Sequence, residues 1–165
     1  MAVTPSGAIS FGAVNTALNR TATAPISIGD VQVRYLANQD SGSVNMNNMR
    51  NKQSTVGTIT VGFYDDGKTQ VYGFFGAYGS LSSNSFFGGT IYDLFTEGNT
   101  GGFETRIGGT AMGIPAVSAR VRINGVSVSM SKWTSSYYTS GALTPPGQIS
   151  PGMVGGTYSF QFAQT

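Results

Sequence analysis

The sequence contains no cysteine and no histidine. It therefore has no disulfide, no thiolate nucleophile, no imidazole general base and no zinc site built from Cys or His. Charge is scarce too: Asp, Glu, Lys and Arg make up 10% of the chain, against roughly a quarter in ordinary soluble domains. The net charge of +2 is too small to neutralise the several phosphates that hold a protein on nucleic acid, so no nucleic-acid partner is expected. No apolar run approaches the roughly 18 residues that cross a bilayer. No cationic and apolar leader precedes Arg20, and neither a membrane span nor a secretory signal is expected. The single adjacent carboxylate pair, Asp65-Asp66, is followed by Gly67. Neighbouring side chains diverge there, and the pair reads as a polar hairpin tip rather than an acid/base pair or a calcium site. These gaps leave no catalytic residue, no cofactor and no metal ligand set, and they point away from an enzyme.

What the chain does have is glycine, 24 in 165 residues, with abundant Ser, Thr and Asn. That mixture favours strands, tight turns and packed assemblies. Charge is unevenly spread. Up to residue 53, Arg20, Arg34, Arg50 and Lys52 stand against Asp30 and Asp40 alone, whereas beyond it the two signs balance.

The same opening segment carries a repeat. Ile9-Ser10-Phe11-Gly12-Ala13-Val14, Ile26-Ser27-Ile28-Gly29-Asp30-Val31 and Val44-Asn45-Met46-Asn47-Asn48-Met49 share the order apolar, small polar, apolar, Gly or Asn, any, apolar. Gly12, Gly29 and Asn47 are placed as helix N-caps, each followed by two or three helical turns. Helices that short are marginal alone and need a surface to pack on. That surface is either the chain itself or another protein. On the second reading Phe11, Val14, Leu18, Ile28, Val31 and Leu36 form the docking face, with Arg20, Arg34, Arg50 and Lys52 steering towards an acidic partner.

From about residue 54 the hydrophobic period changes to two. Residues 58–64 and 69–75 alternate around Asp65-Asp66-Gly67 and predict a hairpin. Residues 117–130 predict a second, turned at Asn124-Gly125 in a type I′ turn. That turn sets Ile123 opposite Val126, Val121 opposite Val128 and Ala119 opposite Met130 on one face, with Arg120 and Arg122 opposite serines on the other. Further strands are expected at 90–96, 102–107 and 157–163. Short strands with Gly-rich turns predict a mainly β chain, an antiparallel β-sandwich over 54–165 preceded by an N-terminal module of short helices and loops over 1–53. Trp133, Tyr137 and Tyr138 lie in a Ser/Thr-rich stretch and read either as core at the end of the sandwich or as exposed rings for a glycan. The Phe74, Phe75, Tyr78, Phe86 and Phe87 cluster reads as core and interface packing.

The phrase Thr4-Pro5-Ser6-Gly7-Ala8-Ile9-Ser10, the Pro25-Ile26-Ser27-Ile28 copy with Val33-Arg34-Tyr35-Leu36, and Ser41-Gly42-Ser43-Val44 resemble the N-terminal module of tailed-bacteriophage virion structural proteins. Tyr72-Gly73-Phe74, Gly79-Ser80-Leu81-Ser82, Ile123-Asn124-Gly125 and Gly156-Thr157-Tyr158-Ser159-Phe160 resemble a glycine-rich β domain appended to phage tail and appendage proteins. Gly12-Ala13 and Ala17-Leu18-Asn19 depart from the module's usual Ser-Asp and Glu-Leu pairs. The resemblance implies a non-enzymatic virion component of the tail, baseplate or a fibre attachment, assembled in the host cytoplasm. Its partners would be other virion structural proteins and further copies of itself in the particle. The alternatives are a host-glycan-binding module of an appendage and a capsid decoration protein.

Overall fold

The computed structural model describes residues 2–3, 6–86, 89–99, 102–110, 118–132, 134, 136–143 and 148–165. Trp133 and the Thr4-Pro5 part of the opening phrase lie outside the described residues.

A short helix stands at each copy of the repeat: α1 (Phe11–Ala17), α2 (Val31–Ala37) and a 3-10 turn (Met46–Met49). The caps differ from those expected. In every copy the small polar residue in second place, not the Gly or Asn in fourth, takes up a backbone N–H. Ser10 Oγ accepts from Ala13 at 3.1 Å, Ser27 Oγ from Gly29 at 3.2 Å and Asn45 Oδ1 from Asn47 at 2.9 Å. Gly12 and Gly29 have no side-chain acceptor to offer, which is why the job falls to their neighbours. In the second copy Asp30 Oδ2 also accepts from Ser27 N at 3.1 Å, which closes the turn before α2, and Asp30 itself stands at the N-cap with no side-chain bond into the helix. The exits repeat as well. Asn19, Asn38 and Asn51 adopt left-handed φ of 59°, 58° and 59° just past the three helices. Arg20 N donates to Asn15 O and Gln39 N to Arg34 O, both at 2.9 Å, closing α1 and α2 in Schellman fashion. Val14, Ala17, Leu18, Val33, Leu36 and Met49 form a small core of their own, with Val3 and Ala37 completing it.

The rest is mainly β. Along the chain the strands are β1 (Ser54–Thr60), β2 (Gly62–Asp65), β3 (Gln70–Phe75), β4 (Ser80–Leu81), β5 (Ser85–Phe86), β6 (Gly89–Asn99), β7 (Gly102–Thr110), β8 (Ser118–Ile123), β9 (Val126–Lys132), β10 (Tyr137–Leu143) and β11 (Thr157–Gln164). All pairings are antiparallel, and the strands form one sheet in the order β2-β3-β6-β7-β10-β9-β8-β11-β1-β4, with β5 beside β6. This corrects the expected sandwich, which needs two separate packed sheets. β1 pairs with β11 at one end of the order and β2 with β3 at the other, yet only Val61 separates β1 from β2. One bent strand thus serves both ends, and the sheet curls into a nearly closed barrel.

The predicted hairpins are present. Asn124 and Gly125 both have positive φ, 48° and 84°, and the register sets Ile123 with Val126, Val121 with Val128 and Ala119 with Met130. The Asp65-Asp66-Gly67 tip closes β2 onto β3, with Tyr64 opposite Val71. Inward side chains from around the barrel, among them Ile59, Leu94, Ile107, Val121, Tyr138 and Phe162, make one core. Ile149 enters it from the stretch before β11, and its N–H donates to Thr96 Oγ1 at 3.1 Å. Thr96 and Thr105 share a hydroxyl bond of 3.0 Å, so the two buried hydroxyls satisfy each other.

Candidate functional site

The residues expected to dock a partner divide into two groups. Val14, Leu18 and Leu36 are fully buried in the helical segment's own core, which corrects their assignment to a docking face. Their packing inside the chain is what holds these short helices. Phe11 and Val31, by contrast, are 51% and 59% exposed, and Ile28, three residues before Val31, is exposed as well. The cations tie up local backbone. Arg20 donates to Pro25 O and pairs with Asp30 at 3.6 Å, Arg34 donates to Gly42 O, and Arg50 donates to Gly7 O and Asn47 Oδ1. Lys52 is partly buried, and that burial, with Arg120 nearby, lowers its pKa.

Sequence reasoning missed the junction between this segment and the barrel. Arg120 lies on the outer face of β8 as predicted, but α2 covers it, leaving it 6% exposed. Its guanidinium sits 3.7 Å from the centre of the Tyr35 ring, donates to Tyr35 O, and meets both Asp40 oxygens at 3.2 Å. Gln161 Nε2 reaches Gln32 O at 3.0 Å on the neighbouring strand. Burial pushes the Tyr35 hydroxyl up to about 12, against the opposing pull of Ser127, Arg120 and Arg122.

The aromatic residues proposed for a glycan also separate. Tyr138 faces inward, is 1% exposed, meets Phe162 edge-on at 5.8 Å, and is pushed up to about 12 by burial. It is a core residue, a second correction, because alternation along β10 sends adjacent tyrosines to opposite faces. Tyr137 faces out and lies over Gly108, where any side chain would collide with its ring.

Around Tyr137 the outer face of the sheet is ordered in three rungs. The register aligns Tyr64, Val71, Glu97 and Glu104 in one, Gly73, Phe95, Arg106 and Thr139 in the next, and Phe75, Asp93, Gly108 and Tyr137 in the third. On this face a groove of about 380 Å³ opens among Tyr64, Val71, Phe75, Phe95, Glu97, Arg106 and Tyr137. Phe95 is its floor, 4% exposed, with Phe75 edge-on to it at 5.1 Å. Tyr64 packs against Phe75 and Tyr78 at 6.0 and 5.4 Å.

One wall is polar. Arg106 donates to Glu97 Oε2 at 2.7 Å and to Glu104 Oε2 at 2.9 Å, and the Thr139 hydroxyl donates to Glu104 Oε1. Burial works against the Glu104 charge, but Thr139 and Arg106 outweigh it and hold its carboxyl below the ordinary glutamate value. At the other end, burial raises Asp93 even though the Tyr137 hydroxyl, at 2.9 Å, and the Gly76 N–H donate to it.

These shifts have opposite signs in stability. A depressed Glu104 binds its proton less tightly folded than unfolded. Its contribution is therefore present above its ordinary value of 4.5 and is lost as pH falls through the folded value. Asp93 behaves inversely, so its burial weakens the fold as pH rises above 3.8. Urea unfolding between about pH 7 and about pH 3 should therefore show a shallower acid loss in Glu104→Gln than in the wild type, and a steeper one in Asp93→Asn. Identical acid limbs in all three would contradict the assignment.

Among the described residues no three His, Cys, Asp or Glu side chains gather as metal ligands, and no helix is long and apolar enough to cross a membrane. Compared with models of known protein families, with curated proteins and with solved structures, the chain has no match.

Proposed function

We propose that the chain is a non-enzymatic structural component of a tailed-bacteriophage virion, in the tail, baseplate or a fibre attachment. It is held there by residues 1–53, which act as a docking module alongside further copies in the particle. The observation that carries this reading is the pattern of exposure at the repeats. The helices satisfy their own cores, caps and exits, yet the copies leave Phe11, Ile28 and Val31 facing outward. A large aromatic and two β-branched side chains on short, pre-ordered helix starts are suited to filling a partner's pockets, where a few anchors carry most of the binding energy. The order of phrases shared with phage virion proteins supports the same location.

Because Phe11 and Val31 are already exposed, serine at both positions should leave the melting transition near that of the wild type. Binding to the neighbouring virion protein should weaken at least about 30-fold, the loss expected when anchors worth about 2 kcal/mol are removed. Particles assembled with the double variant should then lack the protein. Wild-type incorporation of a folded Phe11→Ser, Val31→Ser chain would refute the anchoring role.

A further inference from the structure

We propose that the outer groove over β3, β6 and β7 is a binding site for a neutral saccharide, separate from residues 1–53 and independent of the docking role given to them. The outer face of a small barrel is ordinarily polar, since its apolar residues are used inside. Here that face has a recessed Phe95 floor flanked by the partly exposed rings of Tyr64, Phe75 and Tyr137, and beside them stands the Glu97–Arg106 pair.

The combination selects a ligand class. An apolar molecule would cover the rings but strip water from the carboxylates without replacing its hydrogen bonds, which is costly. A nucleic acid or an acidic sugar would be repelled, because Glu97 and Asp66 line the groove and the charge of Arg106 beside them is already paired with Glu97 and Glu104. A pyranose has both surfaces required: one face of C–H groups to lie on an aromatic ring, and a rim of hydroxyls. A carboxylate accepts about four hydrogen bonds, and Arg106 supplies one to Glu97, so sugar hydroxyls can supply others. The groove's volume of about 380 Å³ lies at the small end of the range for ligand sites, roughly 300 to 1,000 Å³. That size suits one or two sugar rings, and the open top suits a chain that runs on past it. Arg106 is fixed between two glutamates and Tyr137 between Gly108 and Asp93, so both are held in place before any ligand arrives.

The test is calorimetric titration of the full chain with maltotetraose, cellotetraose and chitotetraose, and with a heparin tetrasaccharide as the acidic comparison. At least one neutral tetrasaccharide should bind, and binding should weaken about tenfold or more in Tyr64→Ala and in Glu97→Gln. Val126→Ser, on an exposed hairpin end away from the groove, should bind as the wild type does. Glu97→Gln changes neither shape nor ring packing, so it keeps the test decisive if Tyr64→Ala melts early. No binding by any neutral probe overturns the proposal. So does binding unaffected by both groove variants, a preference for heparin, or capture on this face of a virion protein that competes with no sugar.

Discussion

Replacing Gly79 with valine is expected to remove the cooperative unfolding transition, at a cost of at least about 4 kcal/mol. The reason lies at the seam where one bent strand closes the barrel. A Cβ on Gly79 would stand 2.3 Å from Gly73 O, 2.5 Å from Thr60 O and 2.9 Å from Gly62 N. All three are backbone atoms of β1, β2 and β3, so no flexible side chain can give way. The residue also has a φ of +71°, which adds strain for any β-branched replacement. Gly62 and Gly73, paired across β2 and β3, are under the same constraint: their Cβ atoms would meet Gly79 N at 2.3 Å and Leu94 O at 2.4 Å.

Gly67 separates the two causes. Its φ is +81° with nothing within 4 Å of a Cβ, so Gly67→Ala bears only the left-handed cost of roughly 1 to 2 kcal/mol. Thermal and urea unfolding followed by circular dichroism should therefore rank Gly79→Val far below Gly67→Ala. A Gly79→Val protein that unfolds within about 1 kcal/mol of the wild type would mean that the seam does not need its glycines.

Local features of the barrel were legible where a turn and an alternation agreed. Asn124-Gly125 fixes a two-residue loop, and only one register then keeps Val121, Ile123 and Met130 on a common face. The β8–β9 pairing follows residue for residue. Closure was not legible, because a sandwich and a barrel draw on the same short alternating strands. What distinguishes them is that β1 and β2 are one bent strand, and the three glycines that permit the bend are spread from 62 to 79. The capping logic was half visible: the repeat announced helix starts, but its fourth position drew attention from the second, where Ser10 and Asn45 cap their helices and Ser27 holds the turn before α2. Tyr137 and Tyr138 looked alike in a Ser/Thr-rich stretch, whereas a strand there sends one out and the other into the core. The groove had no local signal, since Tyr64, Phe75, Phe95 and Tyr137 meet only once the order β2-β3-β6-β7-β10 is known. Arg120 was read as a solvated outer residue because nothing near it in sequence says that α2 will lie across it.

That junction yields the second large effect. Arg120→Ala is expected to destabilise the chain by about 3 kcal/mol, from a lost hydrogen bond to a charged donor, a lost cation–π contact and the cavity left beneath Tyr35. The carbonyl of Tyr35 loses a buried donor, whereas Asp40 is largely exposed and returns to water. The total therefore falls at the lower end of what breaking a buried pair costs. Asp40→Asn, which removes only the exposed partner, should cost less than about 1 kcal/mol.

The two variants also differ in where they open. α1 and α2 are seven residues each, too short to persist once separated from the barrel. Loosening the Arg120 contact should thus unfold the segment locally before the barrel melts. Trypsin should cut at Arg34, Arg50 and Lys52 about tenfold faster or more in Arg120→Ala, with the barrel fragment still folded, if opening costs at least about 1.4 kcal/mol less. Cutting at the wild-type rate would show that α2 is held mainly by its apolar contacts and by Gln161. A segment that opens this way would present Phe11 and Val31 on a disordered chain, which must be ordered again on docking. On the anchoring reading, Arg120→Ala should therefore weaken incorporation into particles although no residue of the docking face has changed.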